Sequence, residues 1–176
     1  MLIYDAPVSE MRFLLEAFDY QRVADLDEFD AYDIDTVEMM LEEAGRFFEE
    51  VFLPTNPVGD QQGLDFDSEN LKVTTPDGFQ EAWDKLCENG FVGLTTPPEL
   101  GGSGAPYTLG TFVGEMSAAT NKSLSIATLS QGLILALLAN GTEAQKEKYV
   151  PKLAGGQWTG TMALTEPQAG TDLGLI

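Results

Sequence analysis

The chain has 176 residues, 43% of them hydrophobic and 22% charged, enough for one domain with a real core and too apolar for a disordered chain. Its 29 acidic and 9 basic residues leave a formal net charge of -20, the wrong sign for a binder of nucleic acid or of an anionic membrane. With no histidine and one cysteine, Cys87, histidine catalysis, histidine metal ligands and an internal disulfide are excluded.

The opening MLIYDAPVSE pairs no basic segment with an apolar run, so no secretory leader is expected, and one cysteine suits a reducing, cytoplasmic compartment. Ser9 is placed to cap a first helix reaching Tyr20, with Phe13, Leu14, Ala17 and Phe18 on one face. Residues 1–70 hold 19 acids and 3 bases, which reads as a solvated, self-repelling surface suited to a salt-rich setting. Asp25, Asp27, Asp30, Asp33 and Asp35 lack the glycine and closing glutamate of a calcium loop, so no metal site is expected there. Asp35 and Glu38 resemble a capping box opening a second helix, whose Val37, Met40, Leu41, Ala44, Phe47, Phe48 and Val51 form a wide apolar stripe. Pro54 and Pro57 are expected to end it, and the polar, turn-rich residues 56–75 read as an exposed connection.

Pro76 and Asp77 open a third helix carrying Phe79, Trp83 and Leu86, closed by Asn89-Gly90. Paired prolines and then three glycines in four residues keep 93–106 irregular. Residues 108–120 return to helix, with Leu109, Phe112, Val113 and Met116 on one side. Residues 125–139 are apolar nearly all round, the pattern of a helix buried on most faces; their uninterrupted apolar run, 133–139, is too short to span a bilayer. Thr142 with Gln145 forms a capping box for a short helix stopping at Pro151. Residues 158–164 alternate with the period of a strand. The expected fold is mainly α: a helical domain over 1–157, acidic over 1–70 and holding the Gly/Pro loop within 71–157, then the start of a β element over 158–176. A lone strand has no partner for its backbone groups. A longer protein is therefore expected, with an exposed apolar face where its remainder packs.

The string Met162-Ala-Leu-Thr-Glu-Pro-Gln-Ala-Gly-Thr-Asp172 resembles the flavin-site signature of acyl-CoA dehydrogenases. Three further strings match that family in the expected order: Asn89-Gly-Phe-Val-Gly-Leu94 at the exit of its third helix, Pro98-Glu-Leu-Gly-Gly-Ser-Gly104 before its fourth, and Gly141-Thr-Glu-Ala-Gln-Lys-Glu-Lys-Tyr-Val-Pro-Lys-Leu153 before its first strand. The opening Tyr4-Asp-Ala-Pro-Val-Ser-Glu-Met-Arg-Phe13 resembles the longer N-terminus of the branch that includes 3-methylmercaptopropionyl-CoA dehydrogenases.

The resemblance implies an N-terminal helical domain, a middle β domain and a C-terminal helical bundle, of which this chain covers the first and the beginning of the second. It implies FAD as cofactor and an acyl-CoA as substrate, oxidised to the 2,3-enoyl-CoA. It also implies an electron-transferring flavoprotein as redox partner, a homo-oligomeric enzyme, and a glutamate base on the C-terminal bundle. Carried over position by position, Met162, Leu164, Thr165, Gly170 and Thr171 would meet the flavin, and Thr171, Thr128, Gln131, Gly132 and Leu135 the substrate. Threonine stands at 171 where the family usually has serine, and Gln168 where a small residue is common. Taken alone, the 165–172 turn reads as an ordinary turn held by local bonds, and Thr128 to Leu135 equally as core packing. Trp83 and Trp158 read as core or interface aromatics, Cys87 as a packed residue, and Glu99 and Glu166 as solvated carboxylates. A non-catalytic helical interaction module and an acyl-CoA oxidase-like fragment are the alternatives.

Overall fold

The apolar stripe of the second predicted helix becomes the spine of the fold, in a computed structural model that describes residues 3–175. Helix α1 is Val8–Ala17, α2 Gln21–Ala24 and α3 Ile34–Phe47. From α3, Val37, Leu41 and Ala44 are fully buried against Met11 and Leu15 of α1. Helices α5, Phe79–Glu88, and α6, Tyr107–Thr120, add Ala82, Leu86, Leu109 and Met116 to the same core. Each such large side chain contributes about 1.5–3 kcal/mol relative to staying in water.

The helix starts differ from the sequence expectation. Ser9 caps nothing: α1 begins at Val8 after Pro7, and it ends before Asp19, which takes a positive φ of 56°. The cap of α3 is Asp33, whose carboxylate accepts from the Thr36 N–H at 2.7 Å. Asp35 and Glu38 are instead recruited by Arg12, which also pairs with Glu16 and so ties α1 to α3.

At its C-terminal end α3 winds into a π-helical turn, Phe48–Phe52. Phe48 and Phe52, four positions apart and so on one face, both point inward, edge to face at 5.1 Å and 87°. The helical run ends at Phe52, ahead of Pro54 as expected, but a further helix, α4, Thr55–Gln62, starts directly after it with Pro57 in its first turn. Proline is tolerated in a first turn, where the backbone N–H has no helical partner to lose. The expected connection over 56–75 is therefore α4 followed by an exposed hairpin, β1 Asp65–Asp67 antiparallel to β2 Lys72–Thr74, with Phe66 opposite Val73.

The apolar segment 125–139 is not one helix buried on most faces. It is split into α7, Lys122–Ile126, a 3-10 turn at Ala127–Leu129, and α8, Ser130–Asn140. Of α8 only Ser130 and Ile134 are buried. One side packs on α9, Glu143–Ala154, through Ile134, Val150, Leu153 and Ala154, while Ile126, Leu129, Leu133 and Leu135 stay exposed. Counted across the 3-10 turn, Lys122–Asn140 is 19 residues with a mean hydropathy of 1.5, long and apolar enough by length and composition to cross a membrane. The expectation built on the short run 133–139 missed this. Thr142 and Gln145 do form a capping box at the start of α9, which continues through Pro151 to Ala154 rather than stopping there. No strand forms over 158–164: without a neighbouring strand, the alternating pattern has no ladder to join.

Candidate functional site

Helix α6 presents Gly110, Gly114 and Ser117 at spacings of four and three, one small-residue line on an otherwise apolar helix. Opposite lie the 91–95 segment and the α7–α8 region. Between them is a cavity of about 250 Å³. Its inner end is built by the buried Phe48, Leu86 and Leu94, and its mouth by the exposed Tyr107 and Leu135. A dry apolar cavity of about 150 Å³ accepts benzene, so this one has room for a chain of several carbons. Two glycines keep it open. A Cβ on Gly114 would meet nothing within 4 Å, whereas one on Gly110 would lie 2.6 Å from the Thr95 methyl.

The predicted substrate residues divide. Thr128, Gln131 and Leu135 line the cavity; Gly132 does not, and faces solvent. The Gln131 amide has found its partners: Nε2 donates to the buried Val92 carbonyl and Oε1 accepts from Thr95 Oγ1 at 3.2 Å. Gln131 thus fixes α8 to the 91–95 segment while forming a portion of the wall. The Thr128 hydroxyl donates to the Ser125 carbonyl at 2.5 Å. Among the described residues, no carboxylate lines the cavity. Glu99 and Glu166 are exposed. Burial pushes the Cys87 thiol above its ordinary pKa, and Asp84 and Glu88 push it further, so the thiolate nucleophile is disfavoured.

None of the predicted flavin residues lines this cavity. The chain past α9 is first held down: Trp158 N–H donates to the Lys152 carbonyl at 3.0 Å, and Lys152 Nζ lies 4.1 Å from the indole centre. Gly160 N–H then donates to Ser130 Oγ at 2.8 Å. The approach is close there, since a Cβ on Gly160 would sit 3.0 Å from Leu133 Cδ2 and 3.2 Å from its Cβ. Beyond it the segment leaves the helices, with Met162 72% and Leu164 40% exposed. Glu166 and Ala169 exchange both backbone hydrogen bonds, at 2.8 and 3.2 Å, to make the predicted turn. A Cβ on Gly170 would lie 3.3 Å from the Thr165 methyl, and Thr165 and Thr171 are exposed. Among the described residues, no backbone N–H from 161 to 165 donates to another residue. That row of free donors, with no charge until Glu166, fits the polar edge of a planar ring system. The α6 residues Gly110, Gly114 and Ser117 were missed by sequence reasoning. Their small-residue spacing was the available signal.

The family model described as acyl-CoA dehydrogenase, N-terminal domain, matches residues 35–157. A 3-methylmercaptopropionyl-CoA dehydrogenase of Ruegeria pomeroyi is 36% identical over 177 aligned positions, which cover 99% of this chain and 30% of the relative. A mitochondrial isovaleryl-CoA dehydrogenase of Pongo abelii is 43% identical over 97 residues, covering 54% of this chain and 23% of the relative. Among solved structures, butyryl-CoA dehydrogenase from Megasphaera elsdenii aligns with a TM-score of 0.61 at 29% identity, covering 78% of this chain and 34% of that one. A chain in a structure of the electron transferring flavoprotein of Acidaminococcus fermentans aligns with a TM-score of 0.62 at 28% identity, covering 78% and 33%. The chain spans about a third or less of the length of the relatives it matches.

Proposed function

Because the chain belongs to the acyl-CoA dehydrogenase family, we propose that it supplies the helical wall of an acyl-chain pocket and one edge of an FAD site. The enzyme it serves oxidises an acyl-CoA to the 2,3-enoyl-CoA. The observation that carries this reading is the cavity itself: an apolar chamber large enough for a carbon chain, walled by Thr128, Gln131 and Leu135. An apolar chain entering it leaves water without stranding a polar group at those positions, because the Gln131 and Thr128 hydrogen bonds are already made. Rigid walls matter here, since the reacting carbons must be held in one orientation for the chemistry to proceed.

The segment 161–165 binds the ring edge through its free backbone donors, Gly170 lets the chain turn against it, and Thr171 offers a hydroxyl between cofactor and substrate. Bound there, FAD supplies the hydride acceptor for the carbon β to the thioester. Electron-transferring flavoprotein as acceptor, a homo-oligomeric enzyme and a cytoplasmic location complete the proposal.

With no carboxylate lining the cavity among the described residues, this polypeptide alone is expected to turn nothing over. Incubation with FAD, hexanoyl-CoA and an electron-accepting dye checks this, and bleaching above background refutes it. The binding half is tested separately by calorimetry. Hexanoyl-CoA should bind the chain and lose affinity in Gly114→Val, whose side chain enters the open space beside Gly114. Equal affinity in both proteins places the ligand elsewhere and removes the acyl-pocket reading.

A further inference from the structure

Ser130 opens α8 and is 1% exposed. It does not line the cavity, but its neighbour Gln131 does. Consecutive residues of an α-helix point about 100° apart, so the two side chains serve different partners. Gln131 reaches across to Val92 and Thr95. Ser130 Oγ accepts the Gly160 N–H at 2.8 Å, from 30 residues away in sequence. Leu133, on the same face of α8, packs over that glycine. Past Gly160, every hydrogen bond among the described residues stays within the C-terminal segment itself, as in the Glu166–Ala169 pair. Ser130 is therefore the last hydrogen-bonded anchor between the helices and the stretch 161–165, whose free donors suit the cofactor edge.

The first turn of α8 is thus held on two sides, by the 91–95 segment and by the start of the cofactor segment. Just before it the 3-10 turn Ala127–Leu129 interrupts the helical run, and Thr128 of that turn is itself a cavity residue. An apolar chain packed against Thr128, Gln131 and Leu135 restrains both the turn and the helix. Order imposed on α8 by one ligand need not be imposed again by the next, so the second binds more readily with no change of shape. We propose that Ser130 is a positioning residue that couples the two sites: an acyl chain in the cavity steadies α8, and α8, through Ser130, steadies the cofactor segment at Gly160. The coupling is reciprocal, so a cofactor edge held by 161–165 favours the acyl chain by the same factor. This link rests on the acyl-pocket reading above and extends it to the flavin edge.

Amide hydrogen exchange at Gly160 reads the coupling directly. It is measured on the chain and on Ser130→Ala, each free, with saturating hexanoyl-CoA, and with coenzyme A, which lacks the acyl chain. Serine to alanine removes one oxygen and leaves a good helix former. In the unaltered chain hexanoyl-CoA should slow Gly160 exchange about three- to tenfold, the equivalent of one modest hydrogen bond, and coenzyme A should leave it unchanged. In Ser130→Ala, Gly160 should exchange faster and hexanoyl-CoA should no longer slow it, while the Trp158 N–H, bonded to the Lys152 carbonyl, keeps its protection. A merely structural bond would protect Gly160 equally with and without ligand. Suppose hexanoyl-CoA binds by calorimetry, yet Gly160 exchange ignores it, responds equally to coenzyme A, or still responds in Ser130→Ala. The coupling then falls and the acyl pocket stands. Should Ser130→Ala not fold, the first two of these outcomes still overturn the coupling in the unaltered chain. If hexanoyl-CoA does not bind, or Gly114→Val leaves its affinity unchanged, the pocket reading falls and the coupling with it.

Discussion

Replacing Gln131 with leucine keeps the side chain's approximate volume and removes both of its hydrogen bonds. The Val92 carbonyl is then the main loser. Val92 is buried, and no other donor among the described residues reaches its oxygen. An orphaned buried acceptor costs about 1–3 kcal/mol. The bond to Thr95 is half-exposed and adds less, about 0.5 kcal/mol. The expected total is about 2 kcal/mol, a fall in melting temperature of about 4–8 °C for a domain of this size. Urea unfolding followed by circular dichroism measures it directly, and amide exchange should show 92–96 losing protection before the helices do. Thr95→Val alone should cost little, and in the Gln131→Leu background nothing further, since the shared bond is already gone. A loss below about 0.5 kcal/mol, or simple additivity of the two substitutions, would show that Gln131 is not the tie between α8 and the 91–95 segment.

Other consequences are as direct. With a net charge of -20, 19 of whose 29 acids fall in residues 1–70, self-repulsion should weaken the fold at low ionic strength; raising salt from about 0.01 to 0.15 M shortens the Debye length from about 30 to 8 Å. The melting temperature should climb across that range, and a flat response would contradict it. The Asp33 carboxyl is held below its ordinary pKa of 3.8 chiefly by the Thr36 N–H. Its contribution is thus present above the unfolded value and lost as pH falls through the folded one. Asp33→Ser, which keeps a cap but not the charge, should flatten the acid limb of a pH–stability curve. Gly156 has a φ of 68° and its absent Cβ faces Cys87 Sγ. Gly156→Ala should therefore destabilise by more than about 1 kcal/mol, and Cys87→Ala in the same chain should relieve some of the loss.

The helices were legible because periodic apolar residues report a shared face, and α3, α5 and α6 each bury the face the pattern marked. Their boundaries were less so. Asp35 and Glu38 have the spacing of a cap, yet Arg12, distant in sequence, takes both carboxylates, and no local pattern encodes that. The prolines did mark the end of the run through α3 and its π turn, but they hid α4, because Pro57 sits in a first turn that spares its missing N–H. Composition made 125–139 look enclosed, but burial depends on what surrounds a helix, and one side of α8 has no neighbour among the described residues. Of the site, Gln131 was the most readable residue, because a buried amide must find partners. Ser130 was not, since a serine at a helix start looks the same whether its hydroxyl stays within the helix or accepts a distant N–H.

The wound-out turn after α3 gives the chamber its inner wall. Within 48–52 the backbone carries one residue more than a regular spiral would hold. Each α-helical residue advances the side chain by about 100°. Deleting Glu50 alone would restore an even pitch and bring Phe52 to three positions after Phe48, tilting the edge-to-face pair whose Phe48 ring closes the far end of the pocket, while its entrance at Tyr107 stayed intact. A residue gained or lost at this turn therefore acts on the depth of the chamber and spares every group that touches the opening.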